Sequence, residues 1–334
     1  MIKEEYTQLL LSHQIRDITT IGDTQTLWCK LKKVETLTII QYIMNTNSIY
    51  RHCFKCLFLF SLCLLLSCNS DRNKKARPDI LQYEDYNALK EIHLPYILDI
   101  KNNNKHLVYY GAKHSFNPAD SMFKEIEKRF NDLKPDIAFN EGGNEWPIIN
   151  DRDSTIKLTG DPGFIRYLCR KNNVQVVSID PSERLEYEHL LTKYKKLDVL
   201  LMYFCRQIDQ LQHQVDISDA FFIKNMNGFL SDLKSQGMPL TVEEIQFNFI
   251  KSYYEKFFNL EFNWKEFDPA NYQPIYSKTL LNEICRESTY FRDRFIINRI
   301  EVTLKTKDKI FVVMGGSHLV IQEPVLRFIM DEDK

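Results

Sequence analysis

The sequence predicts an α/β fold, with a mostly parallel central sheet flanked by helices and a helical insertion between the two halves that carry its motifs. Three observations carry this. Short apolar runs alternate with helix-period stretches through residues 106–181, which is the pattern of βαβ units. The same alternation returns over residues 287–330. Between these regions, residues 184–285 read as helical and are rich in Phe and Tyr.

The elements follow in order. His106 to Tyr110 (HLVYY) is a β-rich run closed by Gly111. Asn117-Pro118 reads as an N-cap with proline at the first helical position. The helix it opens runs from Ala119 to Leu133, with Met122, Phe123, Ile126, Phe130 and Leu133 at helical spacing. Asp136 to Asn140 (DIAFN) is the next strand. Asp161-Pro162 repeats the cap signature before a helix through Leu168. Val174 to Ile179 (VQVVSI) is a third strand, with Asp180-Pro181 as a third cap. Short links between such elements imply parallel strands with right-handed crossovers. In the insertion, Leu197, Leu200, Leu201, Phe204, Ile208, Leu211 and Val215 make one apolar stripe. Thr241 and Glu244 form a capping box. Glu287 to Leu304 reads as a helix, Lys309 to Met314 (KIFVVM) as a strand apolar on both faces, and Pro324 to Met330 as a closing helix.

Ahead of the fold stands Leu57 to Cys68, LFLFSLCLLLSC. This apolar run is short for a mature membrane span but suits a signal-peptide core. Leu65-Leu66-Ser67-Cys68 resembles a bacterial lipobox. The resemblance implies cleavage before Cys68, acylation of that cysteine (palmitate among its lipids), and a body lipid-anchored to a bacterial membrane on its extracytoplasmic side. The expected organisation is then an extension or mis-assigned start over 1–43, a signal peptide over 44–67, a lipidated tether over 68–79 and one domain over 80–334, its insertion at about 184–285. The alternative for residues 1–43 is a cytoplasmic extension on an uncleaved anchor.

A net charge of −1 and the lack of a basic stripe argue against nucleic acid as a partner. Of eight cysteines, only Cys169, Cys205 and Cys285 lie beyond Cys68. An odd number at wide spacing does not suit a disulfide framework, so these read as buried small hydrophobes.

Two strands end alike. Gly111-Ala112-Lys113-His114 follows HLVYY, and Gly315-Gly316-Ser317-His318 follows KIFVVM. DIAFN ends at Glu141. In an open parallel sheet the carboxyl ends of the strands form the ligand-binding edge, so His114, Glu141 and His318 are expected to converge there. Two imidazoles and a carboxylate suit a divalent ion such as Zn²⁺, Mn²⁺ or Co²⁺. They equally suit metal-free acid–base catalysis. Arg292 could hold an anionic group or a developing oxyanion, or lie in a surface ion pair. Asp293 could support a histidine. Capping alone explains Asp161 and Asp180.

GAKHSFNPADSMFKEIEKRFNDLKPDIAFNEGG resembles the first block of the TraB/Tiki superfamily, which is related to erythromycin-esterase-like and ChaN-like proteins. FRDRFIINRI with KIFVVMGGSHLV resembles its closing block. The resemblance implies that His114, Glu141, Arg292 and His318 are active-site residues, with Asp293 beside them. Tiki-like members imply metal-dependent proteolysis, esterase-like relatives hydrolysis without a metal, and ChaN-like relatives haem binding. Gly142-Gly143-Asn144 departs from the arginine-containing continuation of TraB-like members. The expected function is a membrane-anchored, extracytoplasmic hydrolase of the cell envelope that cleaves a peptide or ester bond of a peptide or small-molecule substrate in a metal-dependent reaction. The alternatives are a haem- or ligand-binding surface lipoprotein and a non-catalytic scaffold.

Overall fold

β5 (Lys309–Gly315) is buried from Ile310 onward, because it runs through the middle of a five-stranded sheet of order β1-β2-β5-β3-β4. It pairs in parallel with β2 (Lys105–Ala112) on one side and β3 (Ile137–Asn140) on the other. β4 (Gln175–Ser178) extends the parallel set beyond β3. β1 (Tyr96–Asn102), which follows a short helix α1 (Tyr83–Ala88), is antiparallel to β2 and makes the edge. The sheet is thus mostly parallel and flanked by helices, as the alternation of short apolar runs and helical stretches requires. The computed structural model describes residues 76–89, 92–142, 149–212 and 217–332. The expected leader with Cys68, the residues ahead of it, and Gly143, Asn144, His213 and Val215 lie outside these.

Alternate side chains of each strand feed two different cores. Leu107, Tyr109, Ile137, Phe139, Ile310, Val312 and Met314 face α8 (Leu280–Leu304) and α9 (Gly316–Glu332). Val108, Tyr110, Ala138, Phe311 and Val313 face α2 (Ser121–Leu133) and α3 (Arg152–Lys171). Each fully buried Phe or Leu of these layers contributes about 1.5–3 kcal/mol of transfer free energy. A third core is built by the insertion from α4 (Glu183–Leu191), α5 (Lys196–Gln212), α6 (Asp219–Ser235) and α7 (Phe247–Phe258). The first turns of α8 (Leu281, Ile284, Cys285) belong to this third core, whereas Ile296, Ile297 and Ile300 of the same helix lie on the sheet. Arg292 and Asp293 fall where the helix passes from one core to the other.

Several elements differ from their sequence-based expectation. β1 was not anticipated. It closes a hairpin with β2 through Asn103-Asn104, with Asn103 in the left-handed region (φ 52°). α2 is capped by Asp120, which accepts from the Met122 amide, while Asn117 only closes a turn onto the Ala119 amide. Ser182 rather than Asp180 caps α4. The Thr241–Glu244 box forms both of its reciprocal bonds, yet it closes a turn, and α7 starts only at Phe247. α8 begins seven residues before the expected start, and α9 begins at Gly316 with Pro324 inside it. Cys169, Cys205 and Cys285 are buried free thiols.

α3 is two helical runs joined at Gly160, whose φ of 60° and ψ of −149° interrupt the helix. That backbone region is essentially closed to residues with a side chain. A methyl group there would also meet the Ser115 carbonyl at 3.1 Å. The break lets a second run start at Asp161-Pro162, with Asp161 buried beneath the end of β2. Replacing Gly160 by alanine is expected to lower the unfolding free energy by about 1–3 kcal/mol. Urea denaturation followed by circular dichroism measures this directly.

Candidate active site

All four parallel strands deliver a polar side chain from their carboxyl ends. β2 leads to His114, β3 to Glu141, β4 to Asp180, and β5 to His318 in the first turn of α9. The register puts these ends level: Ala112 pairs with Gly315, and Asn140 pairs with both Val313 and Ser178. α8 and α3 add Arg292, Asp293 and Asp161 from the two faces.

Glu141 is the centre. Its Oε2 accepts the Gly315 amide at 2.8 Å and lies 3.7 Å from His114 Nε2. Its Oε1 lies 3.5 Å from Arg292 Nη2. Burial opposes its charge, but His318, Arg292, His114 and the Gly315 amide outweigh burial and hold the carboxyl at about 2. Gly315 permits this close approach: a methyl group there would come within 2.9 Å of His114 Nε2 and 3.4 Å of Glu141 Oε2, and the imidazole would have to shift.

His114 stands in the left-handed region at φ 52°, a conformation disfavoured for a residue with a side chain and concentrated at functional sites. Its Nδ1 donates to Asp161 Oδ1 at 3.2 Å. The imidazole is half exposed, whereas Asp161 is 1 % exposed. The hydrogen bond to Asp161 raises the imidazole pKa to about 9; burial works against this, and the charges of Asp161 and Glu141 add to it.

His318 repeats the arrangement more deeply. Its Nδ1 donates to Asp293 Oδ1 at 2.7 Å, and Gln322 Nε2 donates to the same oxygen at 2.7 Å. Burial disfavours its charge, but the Asp293 carboxylate overcomes burial and raises its pKa. Beneath both, burial and the neighbouring carboxylates push the Tyr109 phenol well up, which keeps it neutral.

Arg292 does not lie at the surface. Its guanidinium reaches Asp180 Oδ1 through Nη2 at 2.7 Å and Nε at 3.2 Å, while Asp180 Oδ2 accepts the Gly142 amide at 2.8 Å. Its charge is committed to Asp180 and Glu141, so it holds the carboxylates in place. That is a different task from gripping an anionic substrate.

His114, Glu141 and Arg292 therefore meet within contact distance, and the charges of His318 and Glu141 act on each other. Asp161 and Asp180 belong to the same constellation, although capping had accounted for both. A signal for Asp180 existed: it follows strand VQVVSI directly, as Glu141 follows DIAFN. Asp161 follows no strand, and Gly160 with the Asp161-Pro162 cap marked a helix start there without pointing to the site. Gln322 sits one helical turn beyond His318, a spacing that puts both on one face.

The set expected to hold a metal was His114, Glu141 and His318. Among the described residues no group of three His, Cys, Asp or Glu side chains is arranged to hold an ion. The Glu141 oxygens are already directed at the Gly315 amide and Arg292.

No family model matches this chain, and no curated protein matches it.

The His114–Asp161 pair gives stability a definite pH dependence. The folded-state pKa of His114, about 9, lies above its ordinary 6.5. Its contribution is therefore complete below pH 6.5 and is lost as pH rises to 9. The stability difference between the wild type and Asp161→Asn is expected to shrink over that window. Denaturant titrations at half-unit pH steps provide the check.

Proposed function

We propose that this chain is a hydrolase of peptide or ester bonds, working by acid–base chemistry at the rim of its parallel sheet. One observation carries the reading: two imidazoles each have Nδ1 tied to a buried carboxylate, which leaves Nε2 for proton exchange, and both interact electrostatically with one ionised glutamate. A carboxylate on Nδ1 fixes the tautomer and orientation of a catalytic histidine.

The roles follow from the charges. His114 is protonated at neutral pH, so its Nε2–H can donate to a carbonyl oxygen or to a departing group. His318, after losing its proton, can accept one from an attacking water at Nε2. Glu141 is too acidic to serve as an efficient base. Its task is to stabilise positive charge on the imidazoles, and Arg292 holds it there. The same Nδ1–carboxylate pairs would also orient the rings towards a divalent ion, which would acidify a bound water when present.

We also infer that the protein is lipid-anchored through Cys68. Among the described residues no helix is long and apolar enough to cross a membrane. Mass spectrometry of the mature amino terminus is expected to find an acylated Cys68, and an unmodified chain that retains residues 44–67 would overturn this.

Soluble protein from Ser70 onward should cleave members of a peptide and ester library. His114→Ala and His318→Ala are each expected to lower kcat/KM by about 10²–10⁴-fold. The pH profile should be bell-shaped, with its alkaline limb at about 9 from His114. Elemental analysis before and after chelation separates the two routes: activity lost with a stoichiometric metal assigns the metal-dependent form. Activity that is unchanged in both variants would refute the assignment.

A further inference from the structure

A recess of about 160 Å³ opens beside His114. Tyr86, Ile92, Leu94, Ala112, Gly315 and Gly316 line it. Lys113, His114 and Ser317 complete the lining. The catalytic imidazole is thus part of the pocket wall.

The lining sets what can enter. Tyr86, Ile92 and Leu94 offer apolar surface. Lys113 is ion-paired to Asp120 at 2.9 Å, so its charge already has a partner. The volume is close to the ~150 Å³ of a cavity that accepts one benzene, and below the ~300–1,000 Å³ of sites for drug-sized ligands. Leu94 lies directly against Gly316, where any added methyl group would collide with its Cδ2. Its side chain therefore closes down on the start of α9 and limits the size of the recess.

We propose that this recess is the specificity pocket of the site, and that it receives one uncharged, compact apolar group, a single ring or a branched aliphatic chain, attached to the scissile carbonyl. This rests on the hydrolase reading. A group seated in the recess beside Leu94 brings the adjacent carbonyl alongside His114 Nε2, where proton donation is needed. Leu94 is then a specificity-determining residue, with no part in proton transfer.

Binding and turnover are tested separately. Benzamide, isobutyramide and decanamide are titrated into the wild type, with the methyl NMR signals of Ile92 and Leu94 as reporters. Benzamide and isobutyramide are expected to shift these signals saturably, and decanamide to bind at least tenfold more weakly. In Leu94→Ala, followed at Ile92, that gap should narrow at least threefold. Among p-nitrophenyl esters, the wild type should prefer benzoate and isobutyrate over decanoate, and Leu94→Ala should move the preference toward decanoate. Saturable amide binding without ester or peptide hydrolysis would keep the pocket and refute the hydrolase. Hydrolysis with no response at Ile92 and Leu94, or with a chain-length preference unmoved by Leu94→Ala, would refute the pocket and keep the hydrolase.

Discussion

The ionised carboxylate of Glu141, largely shielded from water where four strands end, is the constraint on which the site depends. A carboxylate taken from water without partners would cost many kcal/mol. Here the Gly315 amide, Arg292 and two imidazoles share the compensation. Each partner comes from a different element, so the charge is tolerable only when β2, β3, β5, α8 and α9 are all in register. The group that organises the chemistry thus also couples the sheet to the helices. Removing one member of such a buried set typically costs about 3–5 kcal/mol, because the charge left behind has lost its counterpart.

The histidines complete this logic. Carboxylates at Nδ1 favour the charged form of both, His114 Nε2 lies 3.7 Å from Glu141, and the charge of Glu141 acts on His318. The local backbone bears the cost: His114 adopts a left-handed conformation, Gly160 breaks a helix to present Asp161, and Gly315 gives up a side chain so that His114 and Glu141 can approach. Strain and missing side chains gather around one point of the molecule, as expected where geometry is held for a purpose.

Much of this was legible in the sequence, and the reason is physical. Strands apolar on both faces mark a sheet covered on both sides, and the residue that follows each such strand stands on its carboxyl edge. That rule places His114, Glu141 and His318 without any knowledge of contacts. Asp180 obeys the same rule, but Asp-Pro also serves as a helix cap, and the two uses look alike in a sequence. Asp161 reaches the site through a broken helix; Gly160 and the Asp161-Pro162 cap announce the break, but the placing of its carboxylate under His114 is a tertiary feature. β1 was missed because alternation in YILDIKN is diluted by its exposed edge, and its turn uses asparagines in place of glycine. The burial of Arg292 depends on α8 passing between two cores, which helix periodicity cannot express.

In the proposed reading, apolar surface beside this charged centre sets a second requirement: a substrate presents a compact uncharged group within reach of a protonated imidazole. Both features rest on the charge state of Glu141. Carbon-13 NMR of the Glu141 side-chain carboxyl across an acid titration tests it most directly. The account predicts that its resonance holds the ionised position through pH 4 and titrates only at about 2. A midpoint at the ordinary glutamate value of about 4.3 would contradict it.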